Sequence, residues 1–188
     1  MATTTDRLGT LERVGDRARL RYERLLRHPR ERVWRALTDP EDLRAWFPTG
    51  IVGDRATGAA LTFPFPDQDL PAMTGEMLRF EPPAVLELRW GPDDILRFEL
   101  ATAADDAGGT GWCALTLVAE FTPLGKAARD GAGWHECLDL LATHLAGGEP
   151  WAPGQRWAPI AARYRAAFGP EASELGPPDG WKEPTEPR

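Results

Sequence analysis

The chain has 188 residues, 42% apolar and 27% charged, with a formal net charge of −7 at pH 7. These are the values of one ordinary globular domain with room for tails, and they exclude a wholly disordered, collagen-like or disulfide-scaffold chain. No stretch approaches the roughly 18 consecutive apolar residues of a membrane helix, the acidic balance disfavours nucleic acid as a partner, and the opening MATTTDRLGT lacks the apolar core of a cleaved secretory leader.

Residues 1–7 are expected to be flexible. Residues 8–14 read as a short strand, Gly15-Asp16 as a hairpin turn, and residues 17–27 as a longer strand in which Leu20, Tyr22 and Leu26 oppose alternating arginines. Nine arginines fall between Arg13 and Arg35. Such a stripe can hold an anion, but alternate arginines along a strand and a helix are read here as a solvated face. Of the 22 basic residues only Lys126 and Lys182 are lysines, a bias that lowers the weight of any single arginine.

Pro29 suits the first turn of a helix whose apolar face is Val33, Trp34 and Leu37. A second short helix opens at Asp39-Pro40-Glu41-Asp42, with Asp39 as its N-cap, and presents Leu43, Trp46 and Phe47. Period-2 patterning then takes over. Leu61, Phe63 and Phe65 alternate, although Pro64 and Pro66 confine that segment to a strand end. Strands follow at residues 75–80, 86–90, 96–100 and 112–121, separated by Glu81-Pro82-Pro83, by Gly91-Pro92-Asp93-Asp94 and by a turn at residues 105–111. Strands so spaced form an antiparallel meander with one apolar face to cover.

Its cover is a helix over residues 133–146, preceded by an irregular stretch at 123–132. Trp134, Leu138, Leu141 and Leu145 share one stripe, while His135, Glu136 and Asp139 fall on the side expected to be wet. A Gly/Pro linker at 147–154 leads to a last helix, about residues 156–168, which docks on the domain. One domain is therefore expected over residues 8–168. The Pro/Gly-rich stretch 169–188 is expected to be disordered.

A strand, two short helices, an antiparallel meander and a long C-terminal helix make an α+β helix-grip fold, a curved antiparallel sheet wrapped around that helix. The residues sharpen this. Arg27–Pro48, with Pro29, Val33-Trp34, Ala36-Leu37-Thr38, Asp39-Pro40, Leu43 and Trp46, resembles the opening of the SRPBCC/START-like superfamily, and in particular its AHSA1-like members (homologues of the activator of Hsp90 ATPase). Gly75 with Pro82-Pro83, and Gly133-Trp134 with Leu138 and Leu141, match further parts of that pattern. The resemblance spans about residues 17–147. It implies a fold and a deep apolar cavity under the long helix, not a reaction.

The cavity is also expected from the pattern itself, since large rings opposite small residues such as Gly75 and Ala119 leave space. Its candidate lining is Trp46, Phe63, Phe65, Met77, Trp90, Phe98, Leu115, Trp134, Leu138 and Leu141, with solid core packing as the alternative for each. His144, at the stripe's edge, reads either as a polar group aimed into the cavity or as a partly buried histidine satisfied locally. His135-x-Cys137 cannot place both side chains on one metal along a helix, so no metal and no cofactor are expected. Cys113 and Cys137 read as reduced core thiols of a cytoplasmic protein, with a mutual disulfide as the alternative. No paired carboxylates, nucleophile elbow or phosphate loop is legible.

Three functions compete. The first is non-catalytic binding of a small hydrophobic or aromatic molecule. The second is a cyclase- or hydrolase-type enzyme using the same cavity and an acid–base group such as His144. The third is a co-chaperone-like protein partner, for which an exposed apolar patch would be needed.

Overall fold

The computed structural model describes residues 7–66, 70–104 and 110–177. The expected turn at residues 105–111 thus lies largely outside the described residues. Seven strands form one antiparallel sheet: β1 (Thr10–Val14), β2 (Arg17–Leu26), β3 (Ala60–Phe63), β4 (Met73–Glu81), β5 (Val85–Trp90), β6 (Asp94–Ala104) and β7 (Thr110–Phe121), in the spatial order β1-β2-β7-β6-β5-β4-β3. Gly15, at φ +63°, makes the tight β1–β2 turn. Strand β2 pairs with β7 rather than with β3, in a register that sets Leu20 beside Ala119 and Tyr22 beside Leu117. The β2–β3 connection therefore has to cross the open end of the sheet. It does so through α1 (Arg30–Thr38) and α2 (Pro40–Leu43). Asp39 stops the first of these helices and starts the second, its carboxylate accepting from the Glu41 and Asp42 N–H groups at 2.9 and 3.4 Å.

The apolar face of the sheet is closed by α3 (Ala127–Leu145), entered through one 3-10 turn at Leu124–Lys126. This helix begins six residues earlier than the apolar stripe suggests, because Ala127, Ala128, Gly131 and Ala132 are small residues buried beneath later chain. That later chain is α4 (Trp157–Phe168), which packs on the opposite side of α3. The long helix is therefore covered on two sides, and its polar face is not wet. His135 and Glu136 are buried. The Glu136 carboxylate accepts from Trp151 Nε1–H (3.0 Å), Gly154 N–H (3.1 Å) and Arg156 N–H (2.7 Å), which pins the linker ahead of α4. Burial pushes this carboxyl upward in pKa against the pull of those donors.

A second correction concerns the arginines. The period of β2 that turns Ala18, Leu20, Tyr22 and Leu26 inward also turns Arg24 inward, where it is 3% exposed. Its guanidinium lies 5.8 Å from the Tyr22 ring centroid and donates to the Glu23 carbonyl at 3.1 Å. Burial lowers its pKa, opposed by the charge of Asp139. Arg17, Arg19 and Arg21 stay on the outer face, Arg19 paired with Glu120 at 2.7 Å.

A third correction concerns residues 169–177, while residues 178–188 of the expected disordered stretch lie outside the described residues. The chain does not leave the domain at Gly169. Ala128 N–H donates to the Ala172 carbonyl (2.9 Å), Leu175 N–H to Gly125 (3.0 Å), and Arg13 pairs with Glu171 (2.6 Å). Ala172 is buried. Over residues 169–177 the chain takes a docked, irregular path whose backbone groups find partners at Gly125 and Ala128.

Candidate functional site

Most of the space under the long helix is filled. Trp46, Phe63, Met77, Phe98, Leu115, Leu138 and Leu141 are each at most 1% exposed and belong to one continuous core. Trp46 fixes its ring by donating Nε1–H to the Ala36 carbonyl at 2.8 Å and stands edge-on to Phe98, 6.0 Å between centroids. Large rings packed against small residues consume the volume that the sequence pattern leaves available.

The open space lies instead at one end of the sheet–helix sandwich. A cleft of about 530 Å³ is bounded by the β5–β6 turn, the end of β7, the first turns of α3, Trp157 and Pro177. Of the expected lining residues, Phe65, Trp90 and Trp134 reach it. Their placement follows from the local sequence. Trp90 ends β5 just before the Gly91-Pro92 turn, and Trp134 is the first large apolar residue of α3. The two rings meet edge-on at 5.7 Å. Trp90 also touches Phe63 (4.6 Å), Phe47 (5.5 Å) and Phe65 (6.3 Å), so it joins the solid core to the open wall. Leu96, Ala119, Phe121 and Cys137 complete an apolar floor. A mostly apolar concavity of this size with a few polar groups is the common form of a small-molecule site.

The polar groups are ones that no sequence motif marks. Asp94 lies at the first position of β6 and Lys126 at the end of the 3-10 turn, and their side chains pair at 2.6 Å. Arg129 and Asp130, adjacent on α3, pair at the same distance. Asp93 also borders the cleft, whereas the Glu120 carboxylate pairs with Arg19 on the outer face of the sheet. Burial pushes the Asp94 carboxyl upward, partly offset by the Lys126 ammonium. These residues are far apart in sequence, and only the β5–β6 turn folding against the start of α3 brings them together.

His144 does not face this cleft. Its Nε2 meets Asp42 Oδ1 at 2.6 Å, and the same carboxylate meets Arg32 at 3.1 Å and Arg35 at 3.3 Å. Burial alone would raise the Asp42 carboxyl, but the His144 hydrogen bond and Arg32 hold it below the ordinary carboxylate range. This cluster fastens the C-terminal end of α3 to α1 and α2. The position three residues beyond Leu141 aims the imidazole at those helices rather than at the sheet. His135 is likewise remote from the cleft, buried against Tyr164. His28, at the β2–α1 corner, has its pKa lowered by burial and by Arg32. Cys113 and Cys137 are free thiols. Among the described residues no group of three His, Cys, Asp or Glu side chains is disposed to hold a metal, and no helix is long and apolar enough to cross a membrane.

An open antiparallel sheet gripping one long C-terminal helix, with an aromatic cleft at its end, defines a helix-grip protein of the SRPBCC type. Residues 27–146 match the family described as activator of Hsp90 ATPase homolog 1-like protein, and the chain belongs to that family. The same architecture is seen in a conserved protein of unknown function from Enterococcus faecalis, with TM-score 0.66 and 21% identity over 85% of this chain and 90% of that one. CalU16 from Micromonospora echinospora is similar at TM-score 0.65 and 21% identity, over 87% of this chain and 94% of its own. DynU16, a protein in the dynemicin biosynthetic locus, is similar at TM-score 0.59 and 28% identity over 70% of this chain, which spans about half of that protein (48%). No curated protein matches the sequence.

Proposed function

We propose that the protein binds a small, largely apolar aromatic molecule in the cleft between Trp90, Trp134 and the start of α3, without converting it. The observation that carries this reading is the cleft itself: about 530 Å³ walled by Phe65, Trp90, Phe121, Trp134 and Trp157. Large rings bordering open volume are costly to leave in water, and an apolar ligand removes that cost. The structural likeness to proteins such as DynU16 is compatible with a small-molecule role. Free, buried thiols support a reducing, cytoplasmic setting.

Native mass spectrometry on freshly purified protein tests the proposal. A reproducible added mass that disappears on denaturation, and is lost in Trp134→Ala, is the expected result. A clean apo mass together with no thermal stabilisation by a panel of aromatic compounds counts against it.

A second reading has one observation in its favour. The Lys126–Asp94 and Arg129–Asp130 pairs give the cleft titratable groups that a cyclase-type enzyme would require. Turnover of a bound aromatic substrate, lost in Asp94→Asn with affinity retained, would favour it over simple binding. His144 is held by Asp42 outside the cleft and is unsuited to that role. The co-chaperone reading gains no comparable support: among the described residues the exposed large apolar side chains Val14, Leu25, Val52 and Leu175 come from four separate segments.

A further inference from the structure

The cleft is apolar along most of its wall and polar at one end, and that end has a specific geometry. Lys126 and Lys182 are the only lysines of this chain. The Lys126 side chain is 12% exposed, its ammonium 5.4 Å from the Phe121 ring centroid and 2.6 Å from Asp94 Oδ2. An ammonium carries three donors, and Asp94 takes one of them. No other side chain or carbonyl among the described residues accepts from Nζ. Lys126 borders the cleft, so a ligand oxygen at this end can accept from one of the two remaining donors in a charge-assisted hydrogen bond.

The sign of the surroundings narrows the ligand further. Three carboxylates border the cleft (Asp93, Asp94 and Asp130) against two cations (Lys126 and Arg129), while the Glu120 carboxylate is paired with Arg19 on the outer face of the sheet. An anionic ligand would meet this surplus, whereas a neutral acceptor such as a ketone oxygen would not.

We infer that Lys126 is the polar anchor of the cleft and selects a neutral aromatic ligand bearing a hydrogen-bond-accepting oxygen, an inference that rests on the cleft being a ligand site. Asp94 positions the ammonium and is not itself the donor.

Three naphthalenes of similar size test it by calorimetric or fluorescence titration: 2-acetylnaphthalene, 2-ethylnaphthalene and 2-naphthoate. The wild-type protein is expected to bind the ketone at least about ten-fold more tightly than the hydrocarbon, the yield of one charge-assisted hydrogen bond, and more tightly than the carboxylate. Lys126→Met should bring ketone and hydrocarbon to equal affinity. Because that variant leaves Asp94 without its cation, the double variant Lys126→Met/Asp94→Asn provides a charge-balanced pair in which the same loss is expected. Asp94→Asn alone should keep the preference for the ketone. Hydrocarbon binding without a ketone preference in the wild type, a preference that survives in both Lys126→Met variants, or one that Asp94→Asn abolishes would overturn the inference and leave the binding function standing. Failure of all three probes to bind would overturn the aromatic-ligand reading and this inference together.

Discussion

Replacing Tyr164 with Phe removes one oxygen atom and nothing else, and the structure assigns that atom two buried partners. The Gly9 N–H donates to it at 2.8 Å, and His135 Nδ1 lies 3.0 Å away. Tyr164 is fully buried on α4, His135 is on α3, and Gly9 leads into β1. One hydroxyl thus joins the last helix, the long helix and the first strand. Beside it, Tyr22 donates to the Gly131 carbonyl at 2.8 Å, and Gly9 lies so close over the Tyr22 ring that a Cβ there would come within 2.5 Å of it. Water has little room to replace the lost oxygen. Orphaning a buried donor or acceptor costs about 1–3 kcal/mol. With some relaxation of His135, Tyr164→Phe should cost roughly 3 kcal/mol in all. At about 2–4 °C per kcal/mol for a chain of this size, the Tm should fall by about 6–12 °C. Urea unfolding followed by tryptophan fluorescence measures the loss, with an unchanged m-value showing that the unfolding reaction is the same. His135→Ala should cost less in the Tyr164→Phe background than in the wild type, since the shared bond is already gone. A loss below about 0.5 kcal/mol, within the range of an ordinary surface substitution, would refute the view that this hydroxyl binds α4 to the domain.

Three other outcomes are expected. Gly75→Ala should give little folded protein, because a Cβ on β4 would overlap the Arg89 carbonyl oxygen on β5 and come 2.7 Å from Phe63 Cε2; a well-folded variant by circular dichroism would contradict the packing. Asp42, held below the ordinary carboxylate range in the folded state, contributes stability that is complete above its unfolded pKa and lost as pH falls through the folded one. Wild-type stability should therefore exceed that of Asp42→Asn at pH 7, and the gap should close on acidification below about pH 4, the unfolded carboxylate value; a gap that persists at pH 2 would place its origin elsewhere. Burial pushes the Cys113 thiol up to about 11 and the Cys137 thiol, on the floor of the cleft, higher still. Cys113 should resist an aromatic disulfide reagent at pH 8 in the native protein and react after unfolding, and rapid native labelling of Cys113 would show that its site opens.

The strand periods, the Gly15-Asp16 turn, the Asp39 cap and the apolar stripe of α3 were legible without coordinates, because each depends on residues within a few turns or one strand of each other. The helix-grip order followed from them, and the family from the resemblance carried by Arg27–Pro48, by Gly75 with Pro82-Pro83 and by Gly133-Trp134. Burial of polar residues was not legible. Periodicity separates two faces of an element but does not say whether a second layer covers the polar one. The packing of α4 and its linker over α3 turned His135 and Glu136 from wet residues into buried, hydrogen-bonded ones, and the inward phase of β2 carried Arg24 with it. The site divides the same way. Trp90 and Trp134 announce themselves as large rings at element ends. Whether a ring borders open space or fills it depends on the summed volumes of side chains from β4, β5, β6, β7 and α3, a sum that no local window contains. Asp94 and Lys126 are 32 positions apart, unremarkable in sequence, and become a pair because the β5–β6 turn folds against the start of α3.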